Sequence, residues 1–158
     1  MFLVLDSSTL IAFCKELDDT SLITKVESLC SEICIPDSVF KEMTNTETLR
    51  KLEPYMHHHI KVVSHIDQSE ITRMNNRHPA LHEGEISVIL YGIYFKETNQ
   101  EYLCVLDDGP ARKTAQKYDI KFTGTIGLIR HLGEQGIITP EDSEELIRKL
   151  KDSTFSLK

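Results

Sequence analysis

Phe2-Leu3-Val4-Leu5-Asp6 is the stretch on which the fold prediction depends, because four consecutive apolar residues end in a carboxylate. A short, continuous apolar run bounded by a polar residue is typical of a strand that is buried on both faces. The stretch Tyr102-Leu103-Cys104-Val105-Leu106 has the same character and is followed by Asp107 and Asp108. The sequence therefore predicts two buried strands, each of which ends in acidic side chains.

Outward from these two stretches, short apolar runs alternate with stretches of helical character. Three further strands are predicted at residues 33–35, 60–63 and 120–123. Helices are predicted at residues 10–13, 22–29, 39–43, 46–56, 69–76, 83–95, 111–118, 125–132 and 139–150. Ser7, Ser8 and Thr9 are expected to cap the first helix. Alternation of buried strands with helices predicts an α/β fold, a sandwich around a mostly parallel central sheet.

The composition bounds the class of protein. The length of 158 residues predicts one domain, placed at residues 1–150, with a C-terminal tail at residues 151–158. Net charge −7 argues against nucleic-acid binding through a broad basic surface, although acidic metal ligands would themselves make a nuclease negative. No run approaches the roughly 18 apolar residues of a membrane span, and residues 1–6 do not resemble a signal peptide. We expect a cytoplasmic protein without a membrane partner.

Four cysteines are spread along the chain: Cys14, Cys30, Cys34 and Cys104. Each lies in an apolar neighbourhood of a chain without an export signal, which favours buried free thiols over disulfides. The alternative is a zinc site that combines Cys30 and Cys34 with the histidine run at residues 57–59. Adjacent histidines fit poorly into one tetrahedral site, so this alternative is disfavoured.

The acids at the two strand ends are expected to lie at one edge of the sheet. Ligands of parallel sheets bind beyond the carboxyl ends of the strands, so Asp6, Asp107 and Asp108 are candidate site residues. The simpler alternative is that each acid caps the helix that follows. Glu85 opens the most apolar helix of the chain, where a first-turn acid interacting with the helix dipole is the alternative. Glu42 alone would be a solvated helix residue.

A cluster of carboxylates in one cleft cannot remain ionised unless a cation lies among them. No Lys or Arg adjoins Asp6 or Glu85 in the sequence. Carboxylate and water oxygens suit Mg²⁺ or Mn²⁺, and such an ion activates water and stabilises charge on a phosphoryl group. The residues therefore favour metal-dependent hydrolysis of phosphodiester bonds.

Four stretches follow one another in the order of a known family: Leu5-Asp6-Ser7-Ser8-Thr9-Leu10-Ile11, Ile35-Pro36-Asp37-Ser38-Val39-Phe40-Lys41-Glu42, Gly84-Glu85, and Leu106-Asp107-Asp108-Gly109-Pro110-Ala111-Arg112 running on to Gly124-Thr125-Ile126-Gly127. Together they resemble the PIN domain family, and in particular the VapC-like toxins and their relatives. The resemblance extends from residue 3 to about residue 137.

The resemblance implies a ribonuclease with a three-layer α/β/α sandwich and with Mg²⁺ or Mn²⁺ held by acids. By position, the first acid is Asp6, the second Glu42 and the third Glu85. The fourth is Asp107 by the strand end, or Asp108 by the spacing to the next helix. The implied metal ligands are Asp6, Glu85, Asp107 and Asp108, with Glu42 as a further ligand or an outer acid.

Three more residues are assigned to substrate binding. Ser8 or Thr9 is the polar residue beside the first acid that would orient water or metal. Arg112 is the basic residue nearest the acids, where it could meet a substrate phosphate. The implied partners are an RNA substrate, a second copy of the chain in a homodimer and the antitoxin of a toxin–antitoxin pair.

Two other functions compete with the nuclease. A phosphatase with an aspartate nucleophile would require a second aspartate two positions after Asp6, where this chain has Ser8. The alternative function is a non-catalytic PIN-like interaction module that binds RNA or a protein partner. Retention of all the acids favours the nuclease over the module.

Overall fold

The five strands form one parallel sheet in the order β3-β2-β1-β4-β5. The computed structural model describes residues 1–153 and 155. The strands are β1 (Phe2–Leu5), β2 (Glu32–Pro36), β3 (Ile60–Val63), β4 (Tyr102–Val105) and β5 (Phe122–Thr123). All five were predicted from the apolar runs, with ends that differ by at most two residues.

Nine α-helices connect and cover the strands within the described residues. They are α1 (Ser7–Ile11), α2 (Ser21–Glu27), α3 (Asp37–Glu42), α4 (Thr46–Leu52), α5 (Gln68–Arg77), α6 (Glu83–Glu97), α7 (Gly109–Lys117), α8 (Thr125–Glu134) and α9 (Pro140–Lys151). A π-helical segment, Ala12–Glu16, continues α1, and a 3₁₀ turn, Glu53–Tyr55, follows α4. The architecture is the expected α/β/α sandwich.

The order in which the chain adds strands to the sheet reverses between β1 and β4, in the middle of the sheet. From β1 the chain proceeds to β2 and β3 on one side and returns to β4 and β5 on the other. Leu5 of β1 is paired with Val105 of β4, so these two strands end at the same level. The crevice beyond their carboxyl ends is the topological switch point at which open α/β sheets bind ligands.

Helix α6 lies against β1, β2 and β4 and contacts α3 and α5. Its side chains at Ile86, Val88 and Ile89 are fully buried, because apolar residues surround nearly the whole helix. This packing fixes the start of α6 beside the switch point.

The start of α1 differs from the prediction. Ser7, Ser8 and Thr9 lie inside the helix, and Asp6 occupies the N-cap position without a side-chain capping bond. The helix begins directly after the strand because the main chain turns at Asp6, whose backbone is still extended. The polar side chains of the first turn are therefore available for contacts at the sheet edge.

The four cysteines are free thiols, with Cys14, Cys34 and Cys104 buried and Cys30 half-buried. In the described part of the chain, no helix combines the length and hydropathy needed to cross a membrane. The tail predicted at residues 151–158 falls partly outside the described residues. Of the part described, Lys151 ends α9 and Phe155 packs against the core.

Candidate metal and active site

Asp6 and Asp107 both follow the paired ends of β1 and β4. Both side chains are buried, at 7% exposure each. The negative charges of Glu85, Glu42 and Asp107 all interact with the carboxyl group of Asp6. Capping does not explain Asp6, because its side chain makes no capping bond to α1.

The carboxylate of Asp107 is held by three donors from two helices. Oδ2 accepts hydrogen bonds from the Ser8 hydroxyl at 2.9 Å and the Thr125 hydroxyl at 2.6 Å. Oδ1 accepts the backbone N–H of Thr125 at 2.7 Å. Since the Thr125 proton is given to Asp107, the Thr9 hydroxyl must donate to Thr125 Oγ1, 2.9 Å away. Asp107 thereby ties the first turns of α1 and α8 to the end of β4.

Asp108 has a different role from its neighbour. Its Oδ2 accepts the backbone N–H of Ala111 at 3.1 Å, which makes Asp108 the N-cap of α7. Its other oxygen accepts no hydrogen bond from the described residues. The charge of Asp108 also acts on Glu85. The capping alternative thus holds for Asp108 and leaves one oxygen available.

The start of α6 carries the third acid. Glu85 Oε2 accepts the backbone N–H of His82 at 3.1 Å, and the His82 side chain accepts from the Glu85 N–H, forming a capping box. Glu85 is nevertheless buried to 7% exposure at the edge of the acid cluster. The role of a first-turn acid therefore accounts for one carboxylate oxygen of Glu85. The other oxygen has no hydrogen-bond donor among the described residues.

Glu42 reaches the cluster from the end of α3. Its Oε1 accepts the backbone N–H of Gly84 at 2.9 Å, one residue before Glu85. A Cβ at residue 84 would displace the Glu42 carboxylate and would lie 3.2 Å from Val39 Cγ2. Gly84 therefore allows the Glu42 carboxylate to accept a hydrogen bond from the start of α6, although Glu42 remains exposed at the end of α3 as a solvated helix residue is.

Burial and like charge raise the pKa of the central acid. The pKa of Asp6 rises to about 7, chiefly through burial and further through the charges of Glu85, Glu42 and Asp107, against the lowering effect of the Ser7 N–H. The pKa of Glu85 is also raised, first by burial and then by Asp108 and Glu42, although the His82 N–H opposes the shift. Among the described residues, the main groups that shift these two pKa values include no Lys or Arg.

The acids do not themselves form a closed coordination shell. Within the described residues, no three His, Cys, Asp or Glu side chains are grouped so that they could hold a metal ion. Glu42, Glu85 and Asp108 each accept a hydrogen bond from a backbone N–H. Asp107 accepts hydrogen bonds from Ser8 and Thr125. The donor chemistry still fits a hard divalent cation, because a buried acid at high pKa faces several carboxylate oxygens that have no protein donor.

The family comparison identifies the family of the chain. The model of a family described as PIN domain matches residues 2–158. The chain belongs to the PIN domain family. No curated protein and no solved structure matches the chain significantly. The resemblance stated from the sequence is therefore confirmed for the family, and nuclease chemistry is general among PIN domains.

In this PIN domain, most of the residues assigned from the sequence lie around the switch point. Asp6, Glu42, Glu85, Asp107 and Asp108 come together around the switch point. Ser8 joins them through its hydrogen bond to Asp107, whereas Thr9 is fully buried and bonded to Thr125.

Thr125 is the site residue that the sequence analysis did not single out. Its hydroxyl and its backbone N–H together donate to both oxygens of Asp107. The signal was the Gly124-Thr125 pair directly after the last strand, where the main chain enters α8 beside the end of β4.

Arg112 lies at the margin of the PIN domain's acid cluster rather than within it. Its Nε donates to the carbonyl oxygen of Leu106 at 3.0 Å, and its guanidinium lies 5.7 Å from the centre of the Phe122 ring. A cavity of about 390 Å³ opens beside it and includes Asp107, Gly124 and Arg130. A separate cavity of about 610 Å³ lies between α8 and α9, and its lining includes none of the five acids.

Proposed function

We propose that this PIN domain is a metal-dependent endoribonuclease that hydrolyses RNA phosphodiester bonds with Mg²⁺ or Mn²⁺. The observation that carries the proposal is Asp6, a buried acid whose pKa rises to about 7 beside Glu85, Glu42 and Asp107. Such an arrangement destabilises the empty site and favours a bound cation, because the cation removes the repulsion between the carboxylates. RNA is proposed as the substrate because of the resemblance to the VapC-like ribonucleases.

The hydrogen bonds suggest a division of roles among the acids. Asp6, Glu85 and Asp108 each retain at least one oxygen without a donor from the described chain, so we assign them as ligands. Glu42 is held against Gly84 and retains its second oxygen as a further ligand. Asp107 has both oxygens occupied, so we assign it to positioning Ser8 and the start of α8.

When bound, the cation would activate water and stabilise negative charge on the phosphoryl group. The chain's own contribution is to fix ligands from four elements: the ends of β1 and β4, the end of α3 and the start of α6. The Ser8 hydroxyl, which Asp107 orients, lies beside the first acid. Burial of Asp6 and Glu85 limits the contact of these two ligands with bulk water and strengthens the charge interaction between them.

A cleavage assay with purified protein tests the proposal. Labelled single-stranded RNA is incubated with Mg²⁺, with Mn²⁺ or with EDTA, using wild type and the Asp6→Asn variant. We expect cleavage that requires the metal and is lost in Asp6→Asn while the far-UV spectrum is retained. Cleavage in EDTA, or full activity of Asp6→Asn, would contradict the proposal.

The toxin role and the partners form a finer part of the proposal. The VapC-like resemblance supports a second copy of the chain and an antitoxin protein as partners. Sedimentation of the purified protein would give a dimer mass on this account, and a monomer at all concentrations would contradict it. Growth arrest on expression, lost in Asp6→Asn, is the result expected of a toxin.

A non-catalytic interaction module is the second candidate function. It is favoured by one observation, namely that the described residues contain no grouped metal ligands. Addition of Mn²⁺ should raise the unfolding temperature of a nuclease, by mass action on the folded state, and leave that of a module unchanged.

A further inference from the structure

We infer that Arg112 and Arg130 form a phosphate subsite that holds the RNA backbone next to the phosphate that is cut. This inference rests on the proposed nuclease function. The subsite is the cavity of about 390 Å³ whose lining includes both arginines, Asp107, Gly124 and Gly127. It lies beside the carboxyl ends of β4 and β5, on the α8 side of the acid cluster.

Arg112 is held in place with its hydrogen-bonding groups still available. Its Nε is bound to the Leu106 carbonyl, and its guanidinium lies over the Phe122 ring. Among the described residues, neither Nη group has an acceptor and no carboxylate pairs with Arg112. A fixed guanidinium with two unused nitrogens matches the oxygens of a phosphodiester, which it can bind in a bidentate manner.

Gly124 connects this guanidinium with the acid cluster. A Cβ at residue 124 would lie 2.7 Å from an Nη nitrogen of Arg112 and 3.0 Å from Oδ1 of Asp107. The guanidinium and the carboxylate thus flank the same glycine, yet they do not form an ion pair. An anion bound by Arg112 would therefore adjoin the acids, as a neighbouring phosphate of one RNA strand must.

Arg130 supplies the second positive charge. It is exposed on α8, lines the same cavity as Arg112, and has no ion-pair partner in the part of the chain described. In a protein of net charge −7, two unpaired arginines in one cavity oppose the general repulsion of a polyanion. The occupant best suited to this chemistry is the phosphodiester backbone of single-stranded RNA.

The test measures RNA binding separately from cleavage. Each arginine is replaced by glutamine in the Asp6→Asn background, and affinity for a labelled single-stranded RNA is measured at several salt concentrations. Arg112→Gln and Arg130→Gln should each weaken binding by about tenfold and reduce the salt slope by about one unit. Arg73→Gln, an exposed arginine of α5, is the matched control and should bind as the parent does.

Cleavage by the same substitutions in the wild-type background provides the second measurement. The subsite predicts a raised KM with a smaller change in kcat. Arg112→Lys should recover part of the affinity, because it keeps the positive charge but cannot bind a phosphate in a bidentate manner. Thermal unfolding confirms that each variant folds; Arg130→Gln changes an exposed side chain and keeps the test valid if Arg112→Gln is unstable.

The outcomes separate this inference from the proposed function. If wild type cleaves RNA and the arginine variants bind like the Arg73→Gln control, the subsite is refuted and the nuclease stands. If the arginine variants lose binding although wild type cleaves nothing, the two arginines bind the RNA backbone but the nuclease is refuted. Failure of the parent to bind RNA at low salt would overturn the subsite.

Discussion

The hydroxyl of Thr125 lies 2.6 Å from Oδ2 of Asp107, and the N–H of the same threonine lies 2.7 Å from Oδ1. One residue at the start of α8 thus binds both oxygens of a buried acid at the end of β4. The Ser8 hydroxyl completes the contact from α1. Asp107 is consequently a structural centre of the site, which joins three elements around the switch point.

Thr125→Val should lower the free energy of unfolding by about 1–3 kcal/mol, because it keeps the shape and removes a buried hydroxyl between Asp107 and Thr9. Urea denaturation at pH 7 measures the change. Thr72→Val on the exposed face of α5 is the control and should stay within about 0.5 kcal/mol of wild type. Equal stability of the two variants would contradict the role given to Thr125.

The two adjacent aspartates should differ in their effect on stability. Asp107→Ala leaves three donors without an acceptor and should cost at least about 3 kcal/mol. Asp108→Ala removes one N-cap bond and should cost about 1 kcal/mol. Urea titration of both variants measures the difference, and a larger loss in Asp108→Ala would reverse the assignment.

Asp108→Asn separates the capping role from the proposed ligand role. Asparagine caps a helix as well as aspartate, so stability should remain within about 0.5 kcal/mol of wild type. The charge and one carboxylate oxygen are lost, so Mn²⁺ should bind more weakly and RNA cleavage should fall. A variant with unchanged cleavage would show that Asp108 is only a helix cap.

Two glycines of α6 should respond differently to alanine. At Gly92 a Cβ would lie 2.7 Å from Ile120 Cγ2 and 2.9 Å from Cys104 Sγ, so Gly92→Ala should destabilise the core by about 1–3 kcal/mol. At Gly84 a Cβ displaces only the carboxylate end of the Glu42 side chain, and alanine is the better helix former by about 1 kcal/mol. Gly84→Ala should keep its stability in urea titration and lose cleavage activity. Equal effects of the two variants on stability would contradict this difference.

The sequence was sufficient for the fold and for the position of Asp6, Asp107 and Asp108 after strand ends, because both depend on local patterns. Apolar runs such as residues 2–5 and 102–106 end in carboxylates, and parallel strands bring their ends to one edge. The contacts of Thr125 and Gly84 depend on which helix starts lie beside which strand ends. The pairing of residues 107 and 125, or 42 and 84, arises from tertiary packing, so a local signal such as Gly124-Thr125 does not reveal which acid it contacts.

Asp6 should make the metal-free protein less stable as the pH rises. Its pKa is 3.8 when exposed and about 7 in the fold, so between these values the unfolded chain releases a proton that the folded chain keeps. The free energy of unfolding of wild type should therefore fall by up to about 4 kcal/mol between pH 4 and pH 8 in EDTA because of this group. Asp6→Asn lacks this loss and should be the more stable protein at pH 8. Parallel stability curves for the two proteins would contradict the burial argument.

Direct titration with Mn²⁺, followed by the spectrum of the free ion in electron paramagnetic resonance, is the measurement that tests the central claim most directly. Wild type should bind Mn²⁺ at pH 8, and Glu141→Gln, which removes an exposed acid of α9, should bind it equally well. Asp6→Asn should bind at least about tenfold more weakly, since a charged ligand is lost. Binding that is absent in wild type, or that is unchanged in Asp6→Asn, would contradict a metal site at the ends of β1 and β4.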